Sequence, residues 1–463
     1  MPAYIPVSND AYQLFHDGQV AFAAVERNGC RIDVPYLRAA IAEVEKYLAE
    51  MEVGLQQTAE YATGRKVFGT SFNLDSAKQL AQILYKEHGH VVTTLDGEVL
   101  TNVDEYALTK VGSEFAKMLL KLRKYKKLLG TYLKPILELQ FNGYLHCSLN
   151  LNTVITYRSS CEDPNLQNIP ARDKEIARLI RRAFIASDGF LIMECDLKGA
   201  EVSVSACYHH DPTMIAYLKN PSSDMHRDVA KRCFFLDNVP KAVRQATKGD
   251  FTFSAFYGNW WRANAQSLWD DIHMENLKTA EGIHLAQHLA LNGITGLGTC
   301  KGKHTQPGTF EHHIKAVDQW FWGEQFHVYA AWKDYWWNLY LEHGGFQTLT
   351  GFRVQGCFVF NQVVNSPIQG SSFHCILWAL IQLQRWLVAN GKRTRIINTI
   401  HDSIILDVYI PELYEINDKI VEILTVDLPR HWEWLCVPVT AEIEVAGPGL
   451  SWFDKAPITD LVL

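Results

Sequence analysis

The sequence predicts a mixed α+β chain, and three features carry that expectation. Phe190 to Asp196 (FLIMECD) is a short apolar run closed by an acid, the pattern of a buried strand. Arg395 to Tyr409 (RIINTIHDSIILDVY) is two β-rich runs separated by His-Asp-Ser, which signals a hairpin with an acid at its tip. Around these lie stretches with apolar residues at three and four spacing, which read as helices.

Residues Val34 to Gln57 are the first such helix, and Val103 to Leu139 the second. The second carries Lys117, Lys121, Arg123, Lys124, Lys126 and Lys127 beside its apolar stripe. Another basic group follows at Arg172, Lys174, Arg178, Arg181 and Arg182. A long helix with a basic face suits gripping a phosphate backbone, which needs positioned charge and no sequence reading. The plainer reading is a solvated helix face, and composition does not reject it. Gly199 onwards, Arg244 to Gly258 and Ser366 to Ala389 also read as helices. Trp260 to His343 is aromatic-rich and reads as irregular. Its tryptophans (Trp260, Trp261, Trp320, Trp322, Trp332, Trp336, Trp337) read as core rather than as base-stacking platforms.

At 463 residues the chain is long enough for several subdomains, and its 48% apolar content favours folding over disorder. No apolar run approaches the roughly 20 residues of a membrane helix. The start, MPAYIPVSND, lacks the basic and apolar halves of a secretory signal. A cytoplasmic location, in a bacterium or a virus-infected host cell, is the expectation. The net charge of −7 announces no nucleic-acid partner, because local distribution matters more than the total. Ten scattered cysteines without a C-x-x-C pair read as reduced, mostly buried thiols. Cys300, His304, His312 and His313 lack the paired spacing of a zinc site, so zinc is the minor reading there.

Two acids carry the chemistry. Asp196 ends one apolar strand and Asp402 interrupts another. A carboxylate there is costly to bury unless it is paired or binds a metal. Acids from distant parts of the chain can meet on one sheet, where two Mg²⁺ ions would clamp the attacking and leaving oxygens of an in-line displacement. Either acid alone is more often a cap or turn residue. Arg244 and Lys248 lie four apart and share a helix face. Together they can hold a triphosphate, and the lysine can protonate a leaving pyrophosphate. On spacing alone, an ordinary exposed basic pair is the better reading.

A set of ordered motifs sharpens this. Phe72-Asn73 and Ser76 to Leu80 come first, then Arg158-Ser-Ser-Cys-Glu-Asp-Pro-Asn-Leu-Gln-Asn-Ile-Pro170. Asp196-Leu-Lys-Gly-Ala-Glu201, Asp224-Met-His226, and Arg244, Lys248 and Tyr257-Gly258 follow. Asn365-Ser-Pro-Ile-Gln369-Gly370, His401-Asp402, Val437-Pro438 and Trp452 complete the series. From Phe72 to Trp452 the chain resembles the polymerase module of family A DNA polymerases, the group of bacterial DNA polymerase I and related phage enzymes.

The resemblance implies an α+β right hand, with an antiparallel-sheet palm, a helical thumb and helical fingers. The implied boundaries are an N-terminal helical segment over 1–70, a thumb over 71–145, a palm over 146–235 and 345–463, and fingers with an insertion over 236–344. The implied metal ligands are Asp196 and Asp402, binding two Mg²⁺ ions for which Mn²⁺ can substitute. Arg244, Lys248 and His226 are implied to hold the incoming nucleotide, with Phe253, Tyr257 and Glu201 around it. Arg158, Asn165, Gln167, Asn168, Asn365, Gln369 and His401 are implied to contact DNA. Donors among them would meet the minor-groove acceptors that every correct pair offers. Glu201 would lie under the sugar and clash with a 2′-hydroxyl, favouring dNTPs. Primer–template DNA and dNTPs are the implied partners.

Four departures from the family stand out. Counting forward from Lys248 puts the stacking positions at Thr252 and Phe256, whereas counting back from Tyr257-Gly258 puts them at Phe253 and Tyr257. A π-type bulge of one residue reconciles the two counts, and Phe253 with Tyr257 is the preferred pair because aromatic rings can stack on a base pair. Ser403 follows Asp402 where DNA polymerases of this family carry Glu and single-subunit RNA polymerases carry Ser, which leaves RNA synthesis as the second reading. Gly199, Ser203 and Asn361 replace polar or basic residues common in the family. The stretch before the motifs is short for a 3′–5′ exonuclease, so proofreading or processivity is expected from a separate chain. The segment 260–330, with its GITGLGTCKGK stretch, reads as a surface insertion.

Overall fold

The computed structural model describes residues 9–93, 99–171, 173–298 and 304–461. Arg172 and Cys300, named above, lie outside the described residues. Five strands form the central sheet: β1 (Phe190–Leu197), β2 (Arg395–Ile400), β3 (Ser403–Tyr409), β4 (Ala441–Ala446) and β5 (Ala456–Pro457). Their order is β5-β4-β1-β3-β2, and every pairing is antiparallel. Both anticipated β runs are therefore present, and they are neighbours. Asp196 on β1 stands opposite Ser403 on β3 and opposite Glu442 on β4. The Leu197 N–H bonds the Asp402 carbonyl at 3.0 Å, so the ladder runs into the hairpin tip.

The helices that position this sheet are α1 (Asn9–Asn28), α2 (Val34–Gln56), α3 (Glu114–Lys127), α4 (Ala200–His209), α5 (Lys241–Thr247), α6 (Trp261–Met274), α7 (Phe310–Trp320), α8 (His327–His343) and α9 (Phe360–Ala389). Helix α2 starts where Asp33 accepts from the Tyr36 N–H at 2.9 Å, and it buries Leu37, Ile41, Val44, Leu48 and Leu55 at helical spacing. Helices α1 and α9 pack on each other and on β2. A Cβ at Gly18 of α1 would stand 3.0 Å from the Leu151 and Leu377 side chains, so a larger residue would make those leucines give way.

Three expectations need correction. Val103–Leu139 is not one helix: Glu105–Val111 ends at Gly112, which is left-handed at φ 63°, and Ser113 then caps α3 by accepting from Ala116 N–H at 3.2 Å. Helix α9 begins at Phe360, not Ser366, so Pro367 sits inside it. Pro367 supplies no N–H to the helical ladder, and the turn around it is packed into the core through Val363, Val364 and Ile368. Trp260–His343 is largely helical, as α6, Leu285–Leu291, α7 and α8. A π turn over Phe321–Gln325 shifts the apolar phase between α7 and α8, which disguises the period in the sequence.

Candidate active site

Asp196 and Asp402 meet at one end of the sheet. Asp196 is the penultimate residue of β1, and Asp402 lies in the β2–β3 turn beside His401, whose φ is 54°. Burial pushes the Asp196 carboxyl up to about 7, helped by the nearby charges of Asp402, Glu194 and Glu442 and opposed by Lys455. Burial also raises Asp402, against the pull of Arg158 and His401. Two desolvated carboxylates that repel each other are relieved by a divalent cation. Among the described residues no cluster of three or more His, Cys, Asp or Glu makes a complete metal cage. Two carboxylates are the kind and number of protein ligands that Mg²⁺ takes.

Glu194 lies two residues before Asp196 on the same strand face, a period-2 relationship readable from the sequence but missed. It accepts from Trp452 Nε1 at 2.7 Å and pairs with Lys455 at 2.6 Å. Ser403 turns inward: its hydroxyl donates to the Ile400 carbonyl at 3.0 Å, closing the turn that presents Asp402.

The cation-bearing helix is α5 and the turn that follows it. Lys248–Phe253 is a π turn, and Ser254–Phe256 resumes the α-helix. The extra residue demanded by the two conflicting counts is therefore present. Thr252 and Phe256 face the core, whereas Tyr257 is 40% exposed and Phe253 half-buried. Phe253, Phe256 and Tyr257 all line one pocket with Glu201, Asn365 and Gln369, so exposure rather than the pocket distinguishes the pair.

Arg244 Nε donates to Asp224 Oδ2 at 2.6 Å, and Asp224 also caps the helix Met225–Phe234 through the Arg227 N–H at 3.1 Å. Asp224 was not among the anticipated site residues, although its motif was. The Lys248 ammonium stands 5.3 Å from the Phe253 ring centre, and the His226 ring meets the same phenyl edge-on at 5.3 Å. Burial, then Lys248 and Arg244, hold His226 neutral, with its pKa down to about 4. Its buried Nδ1 has no protein partner among the described residues. Two cations and an unpartnered ring nitrogen thus converge on one spot, which suits a polyanion.

Tyr257 donates its hydroxyl to Glu201 in the first turn of α4, and Arg158 reaches the same carboxylate at 3.5 Å. Asn365 on α9 donates to the Tyr257 carbonyl at 3.1 Å. Asn361, Asn365 and Gln369 recur every four residues along α9 and share a face. Gly258 fits directly against Asn361, with no room for a Cβ.

The remaining anticipated contacts divide. Asn165 and Asn168 are exposed, and Asn165 Oδ1 caps the turn Leu166–Asn168. Gln167 is only 8% exposed; its amide donates to Ser159 Oγ at 2.8 Å and the Thr399 carbonyl at 3.1 Å, bracing β2.

The basic face of α3 is not a row of open cations. Lys124 pairs with Asp173, Lys126 lies 3.3 Å from Glu52 and 3.4 Å from Asp75, and Arg123 bonds the Val103 carbonyl. In the second group, Arg181 lies 4.1 Å over the Trp452 ring and Arg182 is 3.9 Å from Asp454. His312 bonds Thr305 Oγ1 at 2.9 Å, and His313 bonds the Arg232 carbonyl at 2.9 Å.

Of two buried charged residues missed in the sequence, Lys333 braces the helix that carries Phe253 and Tyr257, and Asp211 fixes the start of α8. Lys333 on α8 donates to the Ala255 carbonyl at 3.3 Å from under the Trp322 ring, and burial lowers its pKa to about 7. Asp211, fully buried, accepts from Thr213 and Met214 N–H on one side and from Val328 and Tyr329 N–H of α8 on the other.

An antiparallel sheet carrying two acids, joined through Glu201 and Tyr257 to a helix with two cations, has the chemistry to hold a polyphosphate through divalent cations. The chain belongs to DNA polymerase family A, whose model matches residues 41–284 and 355–453. It is 26% identical over 424 residues to a DNA polymerase of Bacillus phage SP01, covering 85% of this chain and 41% of that one. It is 28% identical over 473 residues to DNA polymerase I of Deinococcus radiodurans, covering 97% and 43%. The chain thus spans less than half the length of these curated relatives. Among solved structures, the POL domain of Pol1 from M. smegmatis, in complex with DNA primer-template and dNTP, superimposes with a TM-score of 0.72 at 22% identity. The match covers 95% of this chain and 70% of that one. The fold is therefore the α+β right hand of these polymerases, as the motifs implied. No helix among the described residues is long and apolar enough to cross a membrane.

Proposed function

We propose that the chain is a template-directed DNA polymerase that adds dNTPs to a primer 3′-hydroxyl by two-metal phosphoryl transfer. One observation supports this most: Asp196 and Asp402 meet at one sheet end, and Glu201 and Tyr257 link that end to the helix bearing Arg244 and Lys248. The relative that superimposes on this chain holds primer-template and dNTP, which supports the same ligands here. The palm comprises 146–235 and 345–463, the fingers 236–344 and the thumb 71–145.

Asp196 and Asp402 would hold two Mg²⁺ ions, or Mn²⁺ in their place, and the chemistry supplied there would be polarisation of the attacking hydroxyl and neutralisation of phosphate charge. Arg244, Lys248 and His226 bind the triphosphate, and Lys248 gives a proton from Nζ to the leaving pyrophosphate. Phe253 and Tyr257 pack on the nascent pair. Glu201, held by Tyr257, fills the space a 2′-hydroxyl would need. Arg158, Asn365, Gln369 and His401 orient the primer end and check pair geometry, with Asn165, Gln167 and Asn168 shaping the adjoining loop.

The test is primer extension on a primed DNA template with Mg²⁺, with dNTPs and rNTPs in parallel. Extension with dNTPs alone supports the proposal. Comparable extension with rNTPs moves the reading to an RNA-synthesising enzyme, with Ser403 the first suspect. No extension with either overturns it.

A further inference from the structure

We propose that Trp260 is a stacking platform for the first unpaired template base, an inference that rests on the polymerase reading and deepens it. The chain has thirteen tryptophans, and among the described residues Trp260 is the most exposed of them, at 48%. The core role expected for it from sequence does not hold. Trp261, its neighbour, is buried.

The backbone brings Trp260 there by a sharp turn. Gly258 adopts φ 91°, and the Asn259 N–H returns to the Ser254 carbonyl at 2.8 Å. The chain then leaves the helix of Phe253 and Tyr257 and enters α6 with Trp260 as its first flanking residue. One face of the indole is backed by the Arg262 guanidinium at 4.7 Å, and Trp261 meets its edge at 5.2 Å. Arg262 is itself buried and lies 3.1 Å from Glu311. The ring is held from behind and beside, so stacking on its open face orders little further side-chain freedom.

Its position along the cleft identifies the ligand. The α9 row Gln369, Asn365, Asn361 runs parallel to the series Phe253, Tyr257, Gly258: Asn365 bonds the Tyr257 carbonyl, and Asn361 abuts Gly258. The nascent pair belongs where Tyr257, Phe253, Asn365 and Gln369 line the pocket. Arg244 and Lys248 would take the triphosphate of the incoming nucleotide, so the template side of the pair, and the next template nucleotide with it, falls towards the other end of this helix, beyond Gly258. The open aromatic face there is Trp260. Unpaired bases stack on such faces with little sequence preference.

The test uses the full chain and primed templates carrying 2-aminopurine at the first unpaired template position, with a blunt duplex as comparison. The parent should quench the probe on binding, W260F should retain most of the quench, and W260A should lose it. W260A should also bind the overhang template roughly five- to a hundredfold more weakly than the parent, with blunt-duplex affinity unchanged as the sign of an intact fold. Equal quenching by W260A, or an equal overhang preference, overturns the stacking role. If the parent extends primers while either result is found, the stacking proposal fails alone. If the parent binds no primed DNA, the polymerase reading fails with it.

Discussion

Tyr257 donates its hydroxyl to the carboxylate of Glu201, joining the end of the cation-bearing helix to the first turn of α4. The bond crosses from one half of the cleft to the other, and Arg158 supports the same carboxylate. It fixes the glutamate in the pocket shared with Phe253, Asn365 and Gln369. A side chain held that way selects by shape. Glu201→Ala should raise the rate of rNTP over dNTP addition by roughly ten- to two-hundredfold, the range of a single steric selection. Single-turnover rates with matched dNTP and rNTP read this ratio, and an unchanged ratio removes Glu201 from sugar selection.

The two acids at the sheet end cost the unliganded fold stability, as the proposed metal role would require. Asp196 and Asp402 repel each other in a partly desolvated place. Asp402→Asn removes one charge and keeps the shape. Without metal the variant should be more stable by about 1 kcal/mol, while primer extension disappears and duplex binding stays. Added Mg²⁺ should raise the melting temperature of the parent with bound dNTP more than that of the variant. Melting curves with and without Mg²⁺ check this, and normal extension by the variant would overturn the metal assignment.

Arg244 is aimed by Asp224 at 2.6 Å, and Lys248 begins the π turn one helical step on. Their substitutions should separate. Asp224→Asn preserves an N-cap for Met225–Phe234 but weakens the hold on Arg244, so KM for dNTP should rise several-fold with kcat nearly kept. Lys248→Ala removes the proposed proton donor, so the chemical step should slow by roughly a hundredfold or more. Rapid-quench kinetics distinguish binding from chemistry. A Lys248 variant with the parent's single-turnover rate would falsify its acid role.

Much of this site was legible because its signals are local. An acid at the end of an apolar strand is visible in Asp196, and an acid between two strand runs in Asp402. The π turn was legible as an arithmetic conflict between Lys248 and Tyr257, since an α-helix cannot satisfy both counts. What was hidden depends on partners distant in the chain. Lys124 and Lys126 of α3 read as open cations until Glu52, Asp75 and Asp173 arrive beside them. Lys333 and Asp211 look like ordinary surface charges, and only the fold shows that they are buried under the cation-bearing helix and α8. The helices between Trp260 and His343 were masked because aromatic residues pack on several sides of them and a π turn breaks their period.

His374 gives the clearest pH dependence of folding. It is fully buried on α9; its Nε2 faces the Tyr157 carbonyl at 3.0 Å and its Nδ1 faces Thr350 Oγ1 at 2.6 Å. A carbonyl only accepts, so Nε2 carries the proton and Nδ1 accepts from the threonine hydroxyl. Burial holds the ring neutral, with its pKa lowered from 6.5 to about 3. Between those values the unfolded chain binds a proton that the folded chain refuses. The stabilisation is therefore complete above pH 6.5 and is lost progressively as the pH falls towards 3. At pH 5 the loss from this one ring is roughly 2 kcal/mol. His374→Gln should cost about 1–3 kcal/mol at pH 7 through its imperfect hydrogen bonds. The same variant should lose less than the parent on going to pH 5, because glutamine does not titrate. Urea unfolding at both pH values measures the two differences. A variant whose stability falls between pH 7 and pH 5 as steeply as the parent's would show that His374 is not the group taking up the proton.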